Sequence, residues 1–309
     1  MSFRRFLNSR LWPGARRSGE FNEGQLMRSF EETKLLLGKV LSCDVKTKSA
    51  VTNLADVEFK VFSQFGDDGI IQYLIHKLQI KNKFFVEFGV ENYRESNTRF
   101  LLQNDNWQGL VMDCSADDIN EIRNQWYFWR HSLRAQCEFV TRDNIEDLLG
   151  QAGVSEDIGL MHIDIDGNDY WVWESITNIH PVIVIMEYNS LFGANRSITT
   201  PYSKTFDRFQ YHYSGLLFGA SLAALIDQGA RKGYAFVGCN SAGNNAYFVR
   251  LDQVGDLPVK SLSEGYVESS FRQYRDENGE LTYLSNADSI SAMRGVLVYN
   301  VESNETEVF

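Results

Sequence analysis

The chain of 309 residues contains little proline and cysteine and has no long apolar run. With only four prolines, long proline-rich linkers are not expected. The four cysteines, at positions 43, 114, 137 and 239, show no CxxC or other metal-ligand spacing. We therefore expect reduced thiols in a cytoplasmic protein rather than a disulfide framework. No apolar run approaches the roughly 20 residues needed to cross a bilayer.

Positive charge is also scarce, since the net charge is −11. So acidic a chain repels phosphate backbones, and nucleic acid is not expected as a partner. A small anionic ligand held by a local site is not excluded. Hydrophobic residues make up 43% and aromatic residues 13% of the chain, which suits a globular protein with a sizeable core.

The N-terminus departs from this acidic background. Residues 1–17, MSFRRFLNSRLWPGARR, carry five arginines between Phe, Leu and Trp, and they lack the apolar core of a signal peptide. Two interpretations remain open: an arm that makes weak contact with a membrane surface or partner, and a disordered tail. We expect residues 1–25 to be poorly ordered and residues 26–45, which have helical spacing, to form a helix.

Short apolar runs alternate with helical spacing in the middle of the chain. The runs that predict strands are residues 84–90, 109–112, 135–140, 158–165 and 181–187. Apolar strands separated by helices indicate a parallel sheet covered on both faces. An amphipathic helix at residues 221–232 then precedes two strands, 234–239 and 246–250, whose Gly- and Asn-rich turn predicts an antiparallel hairpin.

A mostly parallel seven-stranded sheet that ends in an antiparallel hairpin is the Rossmann-like architecture of class I methyltransferases. We therefore predict an α/β fold of this kind with helices on both faces. The expected division is an N-terminal arm and helix at residues 1–58, a methyltransferase domain at 59–252 and a C-terminal extension at 253–309.

Ligands of open α/β sheets bind at the carboxyl ends of the strands, so the residues that end each strand are the first candidates. Glu87 and Gly89 end the first strand, without the G-x-G-x-x-G turn that a nicotinamide dehydrogenase would need. Asp113 ends the second strand, where an acid commonly accepts hydrogen bonds from a ribose diol. After the third strand, Asp143 or Asn144 could bond an adenine amino group, or Asp143 could simply cap the next helix.

The stretch MHIDIDGNDYWVW, residues 161–173, alternates apolar and polar side chains. Read as a strand, it places His162, Asp164 and Asp166 on one face with no basic residue beside them. Crowded like charges of this kind are typical of a functional site. The following residues, GNDYWVW, are predicted to form a turn and a helix whose tryptophans pack against the sheet.

Five motifs together resemble one known group. SQFGDDGII, FVEFGVENYRESNTRFLL, GLVMDCS, HIDIDGNDYWVW and VIVIMEYNS, spread over about residues 60–250, resemble S-adenosylmethionine-dependent methyltransferases of the FkbM-like kind. The resemblance implies Glu87 and Gly89 beside the methionine part of the cofactor, Asp113 at its ribose and Asp143 at its adenine. Ser63 and Gln64 would close over it. The implied cofactor-binding residues are Gln64, Glu87, Gly89, Ser96, Asn97, Asp113, Cys114, Asp143 and Asp164.

The fourth strand also resembles that of macrocin-type sugar O-methyltransferases, which have an H-x-D-x-D pattern, an acidic pair at the end of strand five, and a magnesium ion. His162, Asp164 and Asp166 match the first pattern, and Glu187, followed by a tyrosine, matches half of the second. The resemblance implies Asp164, Asp166 and Glu187 as Mg²⁺ ligands. Without a metal, Asp164 or Asp166 would be the catalytic base, with His162 orienting it, and His212 is a further candidate base.

The polar and aromatic segment 191–213 is the expected acceptor-binding region, because loops at this edge of the sheet usually carry specificity. Tyr202, Arg208 and His212, together with Lys204 and Tyr211, could contact a hydroxylated or phosphorylated substrate.

The expected function is methyl transfer from S-adenosylmethionine to a sugar hydroxyl of a small-molecule or glycan acceptor, in a surface polysaccharide or a glycosylated small molecule. The alternatives are a methyltransferase for another small molecule or an amine, and a non-catalytic S-adenosylmethionine-binding protein. The sequence leaves a homo-oligomer open.

Overall fold

Ten strands and ten α-helices make up the computed structural model, which describes residues 13–49 and 51–309, with side chains from residue 24 onward. The strands are β1 Phe84–Phe88, β2 Gln108–Asp113, β3 Leu133–Cys137, β4 Asp157–Ile163, β5 His180–Glu187, β6 Ile198–Thr199, β7 Tyr234–Cys239, β8 Asn245–Arg250, β9 Leu297–Asn300 and β10 Glu305–Val308. The helices are α1 Pro13–Thr47, α2 Asp67–Leu78, α3 Arg99–Asn104, α4 Ala116–Arg123, α5 Ile145–Gln151, α6 Asp169–Ser175, α7 Arg208–Tyr211, α8 Leu222–Arg231, α9 Leu262–Gly265 and α10 Asn286–Ala292.

Seven of the strands form one sheet in the order β3-β2-β1-β4-β5-β8-β7. β1 to β5 are parallel to one another, β8 is antiparallel to β5, and β7 is antiparallel to β8. The strand order changes direction at β1, because β2 lies on one side of β1 and β4 lies on the other. The predicted fold, a mostly parallel seven-stranded sheet that ends in an antiparallel hairpin with helices on both faces, is confirmed.

Alternating strand residues bury two apolar layers, one on each face of this sheet. Phe85 of β1 faces the layer formed with α2, while its neighbour Val86 faces the layer formed with α6 and α8. Each strand of the sheet centre is thus apolar on both sides, which is why these strands appear in the sequence as continuous apolar runs. The two layers fix the position of the sheet and therefore of its strand ends.

β4 is shorter than predicted, and this changes how its acids are arranged. The strand ends at Ile163 rather than at residue 165. Asp169, which is fully buried, accepts hydrogen bonds from the backbone N–H groups of Ile165 (2.7 Å) and Gly167 (2.8 Å). Asp166 has φ +55°, a left-handed conformation. The predicted strand alternation of the two acids is therefore wrong, because Asp164 and Asp166 lie on a loop.

The N-terminal helix is longer than predicted. α1 begins at Pro13, so residues 13–25, expected to be poorly ordered, are helical, and residues 1–12 of the basic arm lie outside the described residues. α1 exposes Leu26, Phe30, Leu37 and Val40 to solvent. Contact with a membrane surface or a second copy of the chain remains a prediction. In the described part of the chain, no helix is both long and apolar enough to span a membrane.

Residues 253–309 pack onto the segment that follows β5. β9 pairs antiparallel with β6 and with β10, which gives a second sheet in the order β10-β9-β6. A separate apolar cluster that includes Ile198, Leu217, Met293 and Val298 fills the space behind this small sheet. The division into domains stays a prediction, but the C-terminal residues make extensive contact with the rest of the chain.

Candidate active site

A cavity of about 590 Å³ lies at the carboxyl ends of the central strands. Its wall includes Gly89 after β1, Asp113 at the end of β2, Asp164 after β4 and Glu187 at the end of β5. This volume is typical of small-molecule sites, and the position is where ligands of open α/β sheets bind. The structure thus places these four strand-end residues around one cavity, and their roles in binding remain a prediction.

Glu87 is 2% exposed and saturated with hydrogen bonds. It accepts them from the Asn97 backbone N–H (2.9 Å), the Ser96 hydroxyl (2.6 Å), the Thr98 N–H (3.2 Å) and hydroxyl, and His162 Nδ1 (3.0 Å). Burial would raise the pKa of Glu87, but the bond and charge of His162, with Ser96 and Thr98, bring it below its usual value. Glu87 therefore fixes the 96–98 loop and has no oxygen lone pair left for a ligand ammonium group.

His162 is engaged on both sides of its ring. The hydrogen-bond network assigns Nδ1 as the donor to Glu87 and Nε2 as the acceptor of the Asn97 side-chain amide (3.2 Å). Burial would lower the pKa of His162, but its bond to Glu87 and the charges of Glu87 and Asp164 raise it. This side chain lines the cavity as a positioning group, and it orients Glu87 and Asn97 rather than acting as a free base.

Gly89 is required by a contact within the protein. It has φ +69°, and a Cβ atom there would lie 1.7 Å from the carbonyl oxygen of Asp164. The loops after β1 and β4 touch at this point, and only glycine permits the contact.

Asp113 is half-buried and lines the cavity next to Cys114. Its Oδ2 accepts a hydrogen bond from the Glu91 backbone N–H (2.8 Å), and its Oδ1 accepts one from the Ser115 N–H (2.8 Å). Each carboxylate oxygen keeps a second lone pair. Asp113 therefore fixes the loops after β1 and β2 and can still accept hydrogen bonds from a diol.

Asp164, Asp166 and Glu187 form a compact acidic cluster. Each can place one carboxylate oxygen within 4.8 Å of the others. Burial raises the pKa of Asp164 to about 7; the charge of His162 opposes this rise, and Asp166 and Asp169 add to it. The pKa of Glu187 also lies well above its usual value, because the side chain is buried and lies close to Asp164. The cluster can hold a proton near neutral pH or bind a cation.

The cavity carries a strong excess of negative charge. Among the lining residues that the structure describes, only Arg208 is a permanent cation, and it bonds Asp166 and the Gln273 side-chain oxygen (2.8 Å). Eight lining side chains are carboxylates: Glu87, Glu91, Glu95, Asp113, Glu138, Asp164, Asp166 and Glu187.

Three buried oxygens on the wall accept no hydrogen bond from any described residue. They are Asn168 Oδ1, Asn245 Oδ1 and Glu187 Oε2. The amide orientations are set by the opposite ends of the side chains. Asn168 Nδ2 donates to the Ser203 carbonyl oxygen (2.8 Å), and Asn245 Nδ2 donates to Asp67 Oδ1 (3.0 Å). These three oxygens are therefore buried acceptors without a donor among the described residues.

Of the candidates from the sequence, most line the cavity. They are Gln64, Glu87, Gly89, Ser96, Asn97, Asp113, Cys114, His162, Asp164, Asp166, Glu187 and Arg208. Ser63, predicted beside Gln64, bonds Asp68 (2.8 Å) instead and fixes the loop on which Gln64 lies.

Asp143, Tyr202 and His212 do not line the cavity, which corrects the expectation that they contact cofactor or acceptor. Asp143 forms an ion pair with Lys204 (2.8 Å), and the bond to Lys204 lowers its pKa. The Tyr202 ring lies under the Arg142 guanidinium (4.2 Å), and His212 Nδ1 bonds the Ser214 hydroxyl (2.7 Å). The physical reason is that segment 191–213 folds back on its own neighbours, and only Arg208 and Phe206 of it reach the cavity.

The sequence did not point to the aromatic and amide part of the wall. Phe65 and Phe271 stack with their ring centroids 5.8 Å apart and an interplanar angle of 20°. Asn245 belongs to the polar turn SAGNN, a pattern that predicts a hairpin but does not by itself indicate a cavity wall. Phe271 and Gln273 had none, because residues 253–309 have no strong periodicity. The C-terminal segment nonetheless supplies one side of the cavity.

No protein-family model and no curated protein match the chain. Among solved structures it is similar to the CurJ carbon methyltransferase, with a TM-score of 0.40, 10% identity and coverage of 63% of this chain and 56% of that one. An O-methyltransferase from Bacillus cereus in complex with SAH gives a TM-score of 0.39, 11% identity and coverage of 71% and 91%. An S-adenosylmethionine-dependent methyltransferase from Clostridium acetobutylicum gives a TM-score of 0.39 and 10% identity, with coverage of 60% of this chain and 90% of that one. The match spans just over half the length of the CurJ chain.

Proposed function

We propose that the protein is an S-adenosylmethionine-dependent O-methyltransferase that acts on a sugar hydroxyl. One observation carries the proposal. A cavity of small-molecule size spans the strand ends of a sheet in the class I methyltransferase order, with a diol-accepting carboxylate after β2 and a proton-holding acidic cluster beyond β4 and β5. The FkbM-like and macrocin-type resemblance supports the same conclusion, and the class of acceptor is part of the proposal.

The lining residues fit the methyl donor, which when bound supplies a methyl group activated by a positive sulfonium. Asp113 would accept the ribose hydroxyls with its remaining lone pairs, and the acidic wall favours the positive charge. Glu138 and Phe139 follow β3 and line the cavity, so we assign them the adenine position predicted for Asp143. Gln64 and Phe65 close the opposite side.

Asp164 is the proposed general base. Its pKa of about 7 is close to that of an efficient base at neutral pH. Asp164 would take the proton of the acceptor hydroxyl, and a bound methyl donor would supply the methyl group to the acceptor oxygen and leave as a neutral thioether. Asp166 faces Arg208 and is exposed, so it serves to orient the acceptor rather than to take the proton.

The acidic cluster also fits Mg²⁺, which prefers oxygen ligands and keeps several waters. Asp164, Asp166 and Glu187 would hold it, and Glu187 Oε2 has no competing partner among the described residues. A bound magnesium ion would lower the pKa of an acceptor hydroxyl. Arg208 would then have to share Asp166 or release it.

Calorimetry with S-adenosylmethionine tests the cofactor part of the proposal. We expect Asp113→Asn to weaken binding about tenfold, because two ribose hydrogen bonds are worth about 1.4 kcal/mol or more. The exposed Asp117→Asn, four residues along, is the matched control and should bind normally. Absence of cofactor binding to the unmodified protein would refute the proposed function.

A second assay follows release of S-adenosylhomocysteine with sugar acceptors. Asp164→Asn should lose most of this activity, by a factor of about 10² to 10⁴, as expected for removal of a general base. Full turnover by this variant would show that Asp164 is not the base.

A further inference from the structure

The negative charge of the cavity exceeds what its proposed contents can neutralise. Eight carboxylates face one guanidinium, Arg208, in the lining that the structure describes. Glu87 bonds His162, Glu95 pairs with Lys60, and Asp166 pairs with Arg208. A divalent ion would be balanced by Asp164 and Glu187. That leaves Glu91, Asp113 and Glu138 without an ion pair to any described residue, and a methyl donor supplies one net positive charge for these three. Because unpaired charges within a few ångströms are costly in a partly desolvated site, the remaining ligand should bring positive charge.

Two buried acceptors without a described partner also favour a ligand that donates hydrogen bonds. Asn168 Oδ1 and Asn245 Oδ1 lie on side chains that are 3% exposed, and neither accepts a hydrogen bond from any residue in the described ranges. A buried acceptor left without a donor costs about 1–3 kcal/mol. Both oxygens stay acceptors, because each Nδ2 is held by a bond of its own. A ligand rich in N–H or O–H donors would satisfy them.

Glu91 is an exposed lining carboxylate that lies near other acids. Its backbone has φ +45°, and its side chain bonds no described residue. After burial, the charges of Asp118, Asp113, Asp166 and Glu95 raise the pKa of Glu91. Non-glycine residues in left-handed conformations cluster at functional sites, where the strain places a side chain for its task. Glu91 is thus a negative group at the cavity wall that faces other negative groups.

An anionic acceptor, by contrast, would find no free cation. Arg208 is engaged by Asp166 and Gln273. Lys204, which the sequence suggested for a phosphorylated substrate, pairs with Asp143 outside the cavity. Arg208 keeps one unpartnered N–H at Nε among the described residues, but its charge is already balanced by Asp166. A phosphate or uronate group would therefore lie among carboxylates without an unpaired cation from any described lining residue, so the phosphorylated substrates considered from the sequence fit less well than a cationic one.

We propose that the acceptor carries a protonated amine beside its hydroxyl groups, so that its class is an amino sugar or a similar amine-bearing polyol. Glu91 is the carboxylate that pairs with the amine, and Asn168 and Asn245 accept hydrogen bonds from the remaining N–H and O–H groups. This inference rests on the proposed function, because it names the acceptor of that reaction.

A matched set of sugars tests it on the full-length protein saturated with S-adenosylhomocysteine. Glucosamine, N-acetylglucosamine and glucose 6-phosphate are titrated at pH 7 by calorimetry at low salt. We expect glucosamine to bind at least tenfold more tightly than its N-acetylated form, and the phosphate not to bind. The preference should shrink at 0.5 M salt, where charges beyond a few ångströms are screened.

Two variants locate the effect. Glu91→Gln should reduce the glucosamine preference by a factor of about three to ten, the range expected for one charge-assisted hydrogen bond near a surface. Glu280→Gln, at an exposed position in the C-terminal segment, should leave the preference unchanged. The wild-type sugar comparison stands even if Glu91→Gln does not fold.

The outcomes separate the two proposals. If S-adenosylhomocysteine itself does not bind, the proposed function fails. If it binds but glucosamine and N-acetylglucosamine bind equally, if the phosphate binds best, or if none of the sugars binds, the amine inference is overturned while the cofactor site stands.

Discussion

Replacing Asp164, the proposed base, with asparagine should stabilise the ligand-free protein at alkaline pH. The folded protein raises the pKa of Asp164 from 3.8 to about 7. The folded state therefore binds the proton more tightly than the unfolded chain does. Stability from this group is fully present below pH 4 and is lost as the pH rises through 7, because ionisation then costs more in the folded state.

The size of the effect follows from the shift. A rise from 3.8 to about 7 corresponds to about 4 kcal/mol at 1.36 kcal/mol per pKa unit. Asp164 is only half-buried, and it shares its charge with Glu187, so we expect about half of this, roughly 2 kcal/mol, at pH 8. In a chain of this length that is a rise in Tm of about 4 °C.

Thermal unfolding of Asp164→Asn and wild type from pH 4 to pH 8 measures this directly. The two melting temperatures should coincide near pH 4, diverge progressively between pH 4 and pH 7, and stay apart at pH 8. Asp44→Asn, an exposed aspartate of α1, is the control and should follow wild type throughout. A constant difference at all pH values, or a less stable variant at pH 8, would refute the electrostatic reasoning.

Three further substitutions test other parts of the site. Gly89→Ala should lower the free energy of unfolding by about 2 kcal/mol or more, because its Cβ would lie 1.7 Å from the Asp164 carbonyl oxygen. Gly153 also has a positive φ, +62°, but nothing lies within 4 Å of its Cβ position. Gly153→Ala should therefore cost only about 1 kcal/mol in the same denaturant titration. Phe271→Ala should raise the ligand Kd about fivefold in calorimetry, through loss of one aromatic contact worth about 1 kcal/mol, with an unchanged circular dichroism spectrum. Added Mg²⁺ should raise the Tm of wild type but not of Glu187→Gln, and equal shifts would remove the metal site.

The large sheet was predictable because its signal is local. Each strand between residues 84 and 187 is an apolar run bounded by polar residues, so its position and its final side chains could be read directly from the sequence. Asp113 and Glu187 were found in this way.

The loop after β4 was not predictable from the same pattern. HIDID alternates like a strand, but the carboxylate of Asp169 binds the N–H groups that would have extended the ladder. Side-chain competition of this kind depends on the fold of the turn. Likewise, the ion pair of Asp143 with Lys204 joins residues 61 positions apart, and no local pattern encodes it.

The C-terminal part of the cavity wall could not be predicted from the periodicity of the sequence. β6 has two residues and β9 has four, and each depends on the other for hydrogen bonds. Strands this short carry no reliable signal of their own. Phe271 and Gln273 were missed for the same reason, although they lie opposite the acids that the sequence did identify.

The late position of these residues in the chain also sets an order for biosynthesis. A ribosome that has translated residue 250 has made every strand of the large sheet, but not Phe271, Gln273 or β9. At about 5–20 residues per second, another 2–10 seconds pass before β9 is available to pair with β6. During that interval the nascent sheet has its acidic cluster without Phe271 and Gln273, so the cavity is complete only once the last fifth of the chain has folded.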